Sequence, residues 1–157
     1  MLILLLAIGF VAGLRSMTAP AAVSWAAYLG WIDLHDSAFR WMGSGVAVAV
    51  FTIAALAELV ADKLPRTPRR TAAGPLVGRF ILGGLAGAAL AASIGESLLA
   101  GALLGGIGAM VGSFAGYESR RRLVRVFGGK DLRVALVEDL ITIALAYLVV
   151  NGLNPSP

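Results

Sequence analysis

The stretch from Ser97 to Tyr117, SLLAGALLGGIGAMVGSFAGY, carries no charge and repeats glycine at Gly101, Gly105, Gly108, Gly112 and Gly116. Steps of four, three, four and four put these positions on one side of a helix. In water each glycine would weaken such a helix by about 1 kcal/mol relative to alanine. In lipid the freed backbone groups would find no water, so the helix is enforced. The glycine face then admits a second helix at close range, the small-xxx-small mode of packing. Glu118 and the run Arg120, Arg121, Arg122 follow directly. The pattern predicts a central transmembrane helix that ends at a cytoplasmic rim of arginines.

Composition agrees with that reading. Of 157 residues only 14% are charged, where a soluble domain carries about 25%. Several apolar runs approach the roughly 20 residues that cross a bilayer. The expectation is an all-α membrane protein with about five transmembrane helices, forming one domain over residues 1–150. The tail 151–157 reads as disordered. There is no cysteine, which excludes a disulfide framework and thiol chemistry. The net charge of +4 does not point to nucleic acid, because the basic residues sit beside apolar spans.

The first apolar run, Met1 to about Tyr28, is interrupted at Arg15, Ser16, Met17, Thr18, Ala19 and Pro20. No lysine or arginine precedes it, which argues against a cleaved leader. Pro20 removes a backbone donor and disfavours helix at Ala19. Ser16 and Thr18 are candidates to cap a second half-helix or to satisfy freed backbone groups. Arg15 either faces protein at this break or snorkels to an interface. The loop Gly30 to Arg40 carries Asp33, His35 and Asp36 between Trp31 and Trp41. It reads as a solvated external loop flanked by interfacial tryptophans rather than as a metal site.

The remaining spans are Trp41 to about Ala61, Gly74 to about Ile94 with Gly83 and Gly87 as a close-packing pair, the glycine helix, and about Val134 to Val150. Ten of the thirteen basic residues lie in the two connections after the second and fourth spans: Lys63, Arg66, Arg69, Arg70, Arg120, Arg121, Arg122, Arg125, Lys130 and Arg133. Five spans therefore place the N-terminus in the cytoplasm and the C-terminus outside. An offset of sixty residues lays Ser37–Glu58 on Ser97–Glu118, which suggests a two-unit internal repeat.

Charges within or near the cytoplasmic halves of the spans form the candidate site: Arg15, Glu58, Asp62, Arg79, Glu118, Glu138 and Asp139. Intramembrane charges cost about 2.5–3.5 kcal/mol each on insertion scales, so they pair and face inward. The expected pairs are Arg15 or Arg79 with Glu58, Glu118 or Glu138. Two arginines against five carboxylates leave acid to bind a cation or proton. The alternative is a set of helix-end charges neutralised by the basic rim. No catalytic motif is present, so no enzyme activity, cofactor or metal is expected.

Three stretches carry a resemblance: GLRSMTAPAAVSW from Gly13, AELVADKLPRTPRRT from Ala57, and GPLVGRFILGGLAGA from Gly74. They resemble a family of small bacterial integral membrane proteins known only as a domain of unknown function. The likeness extends from about Leu5 to Val150. It implies a bacterial inner-membrane location and supplies no activity, ligand or catalytic residue. The leading functional expectation is a small transporter or channel component for an ion or small solute, working as a homo-oligomer among membrane lipids. The alternative is a non-transporting membrane protein that binds anionic lipid or a partner protein.

Overall fold

The computed structural model describes residues 1–61, 73–126 and 131–153. Among them are six α-helices and no strand: α1 (Leu2–Leu14), α2 (Thr18–Tyr28), α3 (Gly45–Ala61), α4 (Ala73–Ser93), α5 (Leu98–Val126) and α6 (Asp131–Asn151). A short 3-10 turn at Arg40–Gly43 precedes α3. Among the described residues two helices, α4 and the Leu98–Leu123 part of α5, are long and apolar enough to cross a membrane. That is fewer than the five the sequence predicts. The first run is divided into helices of 13 and 11 residues. Trp41–Gly43 belong to the 3-10 turn, which shortens α3 to 17 residues. Asp131, Arg133, Glu138 and Asp139 occupy the opening turns of α6.

Local chemistry explains several boundaries. α2 ends where Gly30 takes φ +74° and the Trp31 N–H reaches back to Ala26 O at 2.8 Å. α4 ends the same way at Gly95, φ +68°, with Glu96 N–H on Ala91 O at 2.9 Å. Left-handed backbone of this kind closes a helix and favours glycine. The Ser44 hydroxyl accepts the Ala47 N–H at 3.1 Å and starts α3. At the other end of the chain, α6 runs through Asn151 and Leu153 packs against the core. Residues 154–157 lie outside the described set.

The centre of the molecule is α1, α4 and α5 packed against one another, with α5 between its two partners. Gly101, Gly105, Gly108, Gly112 and Gly116 are all buried. Towards α4, a methyl built on Gly105 would fall 2.2 Å from Gly83 O, and one on Gly87 would fall 2.3 Å from Gly101 O. Towards α1, a methyl on Gly108 would meet Leu6 O at 2.2 Å and one on Gly112 would meet Phe10 O at 2.3 Å. The stripe thus serves two helices. α1 answers with its own pair, Gly9 and Gly13, which the sequence reading did not single out; a methyl on Gly9 would lie 2.0 Å from Gly105 O. Backbone touches backbone here, so dispersion between main chains replaces side-chain interdigitation.

α2, α3 and α6 surround this centre. α2 leans on α4 and α6, while α3 is held chiefly by α2 and the 3-10 turn. Its buried residues are Ala47 and Val48, and Val46, Val50, Ile53 and Val60 face outward. α5 and α6 also present large apolar side chains outward, including Leu99, Leu103, Val111, Leu140 and Leu148. The sixty-residue offset matches α3 with α5, but the two have different places: one is an outer helix, the other the centre. Likewise the broken α1–α2 segment corresponds to an uninterrupted α4.

Replacing Gly105 by alanine is expected to lower stability by about 1–3 kcal/mol through overpacking. A methyl on Gly78, also in α4 territory but with nothing within 4 Å, is expected to raise it by up to about 1 kcal/mol. Unfolding of the two purified variants beside the wild type checks both.

Candidate functional site

The break between α1 and α2 is where the polar chemistry of the interior gathers. Arg15 is the hinge, extended at φ −144° and ψ 110°. Its own N–H still bonds Val11 O at 2.8 Å, and its carbonyl accepts Thr18 N–H at 3.3 Å. The break therefore lies just before Thr18. Pro20 is the third residue of α2, not the point of interruption. A proline is tolerated in a first turn because its missing N–H would have no intrahelical acceptor there.

Each helix end created by the break is met by a charge of opposite sign. The Glu58 carboxylate, reaching from α3, lies at the start of α2. Its Oε1 accepts Ser16 N–H at 2.8 Å and the Ser16 hydroxyl at 2.5 Å; its Oε2 accepts Met17 N–H at 2.9 Å. An acid at the positive end of a helix dipole is stabilised there. The sequence reading gave this role to Ser16 and Thr18. Neither Thr18 nor Met17 caps α2 with its side chain, and Ser16 instead helps bind the glutamate. On the other side, Arg79 of α4 donates from Nη1 to Gly13 O at 2.6 Å, at the negative end of α1. The Ser113 hydroxyl stands 3.3 Å from the same carbonyl and 2.8 Å from Ala109 O.

Arg15 itself is 1% exposed and pairs with Asp139 of α6. Asp139 is not among the expected partners, Glu58, Glu118 and Glu138. Asp139 is buried and Glu138 half-buried, since neighbours on a helix point about 100° apart. The Glu138 backbone carbonyl accepts the Thr142 hydroxyl at 2.7 Å. Glu118 is not in the cluster. It binds Arg122 Nε at 2.8 Å and lies 3.6 Å from Arg121 on the exposed face of its own helix. Asp62 lies outside the described residues. Asp33, His35 and Asp36 are exposed, and Asp33 accepts the His35 N–H at 2.8 Å. Among the described residues no three histidine or acidic side chains are grouped to hold a metal.

The model of a domain of unknown function, DUF4126, matches residues 2–152. The chain belongs to this family. No curated protein and no solved structure matches it. In this DUF4126 chain the structure thus brings together Arg15, Ser16, Glu58, Arg79 and Asp139 from three helices and the break. The sequence did not reveal Gly13 O and Ser113. Two signals were present: the four-residue spacing of Gly9 and Gly13, and a lone hydroxyl residue beside Gly112 in an otherwise apolar stripe.

The arrangement can hold buried charge because Arg15 and Asp139 pair with each other, while Glu58 and Arg79 each meet a helix end. Removing one member exposes the cost. Asp139→Ala, which takes the carboxylate from beside a buried guanidinium, is expected to destabilise by about 3–5 kcal/mol. The double change Arg15→Met with Asp139→Leu is expected to recover most of that loss in the same unfolding assay. Glu58→Ala, which leaves α2's first N–H groups without this acceptor, is expected to cost about 1–3 kcal/mol.

Proposed function

We propose that this chain is a multi-pass membrane protein that moves an ion or small solute, with the broken first helix as its working element. Two membrane-capable helices, an apolar exterior and buried charges support the membrane reading. In it, α1 and α2 together make one traverse and α3 to α6 make four more. The basic connections then face the cytoplasm, the N-terminus is inside and the C-terminus outside. The family resemblance suggests a bacterial inner membrane.

One observation carries the transport reading. A carboxylate on the loosely held α3 occupies the start of α2. Discontinuous helices whose ends receive charged groups recur in transporters, because such ends exchange partners without leaving backbone groups unsatisfied. Glu58 is half-buried, so a proton or cation arriving there would weaken its hold on Ser16 and Met17. Release would free α3 to shift against α2. A homo-oligomer suits so small a bundle.

The second reading is a membrane protein without flux that binds anionic lipid or a partner protein. It is favoured by the fact that both helix ends at the break already hold side chains of the chain itself.

Proteoliposomes decide between them. Transport predicts currents, or dye-reported internal pH changes, under at least one gradient of cations, anions or protons. Glu58→Gln should reduce the signal at least tenfold while the protein stays folded and monodisperse. A wild type silent in both readouts across the panel would overturn transport and leave the second reading.

A further inference from the structure

We propose that the groove between α1, α5 and α6 seats one acyl chain of an anionic phospholipid, with the lipid phosphate at Arg120. The inference rests on the membrane reading above and is independent of solute movement.

The groove encloses about 190 Å³. Its walls are Phe10 and Leu14 of α1, Leu123 of α5, and Val137, Ile141 and Leu145 of α6. Gly116, buried and without a side chain, gives the α5 wall its depth. The groove lies where α6 rests on α1 more than on α5. Such walls suit a hydrocarbon chain and offer nothing to a polar solute.

The polar lining is Ser119 and Arg120 of α5 with Glu138 of α6. Arg121, Arg122 and Arg125 lie on the same stretch of α5, outside the lining, and are exposed. Among the described residues here, four arginines against Glu118 and Glu138 leave a net positive charge. An apolar slot with a cationic mouth complements an amphiphile with an anionic head, and basic pockets between membrane helices bind such headgroups. A zwitterionic lipid offers the same chains without the net charge, so the arginines give a preference among lipids.

The test uses the full chain purified in mild detergent and titrated with phosphatidylglycerol or phosphatidylcholine, with retained lipids counted by native mass spectrometry. One phosphatidylglycerol is expected to be retained where phosphatidylcholine is not. Arg120→Gln should weaken that first binding about fivefold. Ala115→Phe, which fills the groove without touching an arginine, should abolish it. Arg122→Gln, outside the groove, should leave it within twofold. Equal retention of the two lipids would overturn the proposal, as would wild-type binding by Arg120→Gln. So would displacement by glycerol phosphate alone, since the acyl chain would then add nothing. Loss of the protein from carbonate-washed membranes would overturn the membrane reading itself, an outcome distinct from a membrane-embedded protein that shows no lipid preference.

Discussion

Breaking a helix in an apolar interior frees backbone donors on one side and acceptors on the other, and water is not there to receive them. In this chain Glu58 takes the donors of Ser16 and Met17, and Arg79 takes the acceptor of Gly13. The two side chains come from α3 and α4, so the break binds both helices to the first. Arg15, placed at the hinge by its extended backbone, adds α6 through Asp139. A single interruption in α1–α2 thereby recruits α3, α4 and α6. The arrangement also matches helix dipoles, with acid at a positive end and base at a negative one.

The glycine packing supplies the rigid counterpart. α1, α4 and α5 approach at backbone distance, which fixes Gly13 O against Ser113 and brings Arg79 within reach. The outer helices are attached by fewer contacts. α3 in particular is tied to the break through Glu58 and to α2 through the Trp25 indole N–H on Thr52 at 3.0 Å.

Much of this was legible in the chain. An arginine and a proline inside an apolar run announced the interruption, and the period of the glycines announced a packed face. The register was less legible. Pro20 drew attention to Ala19, whereas the extended residue is Arg15, because a proline fits a helix's first turn as readily as it ends one. Glu58 could be seen as a charge in a span, but not as a cap for residues 42 positions earlier, since nothing local encodes that meeting. Glu138 and Asp139 were indistinguishable until the rotation of α6 was known. Glu118 shares with the buried charges a place near the end of a span, yet its spacing to Arg122, four residues on, already matches an intrahelical pair. The period of the α5 stripe marks one surface, and only the three-dimensional arrangement divides it between two neighbours.

The glycine-lined centre has an evolutionary corollary. An ordinary core accommodates a larger side chain on one element by a smaller one opposite. Where a carbonyl oxygen is the neighbour, as at Gly9, Gly105 and Gly108, there is no side chain opposite to shrink. Compensation is unavailable at those contacts, so sequence divergence among relatives should be channelled away from them. The outward faces of α3 and α6 can drift in size and shape, while the centre changes only if the helices move apart together.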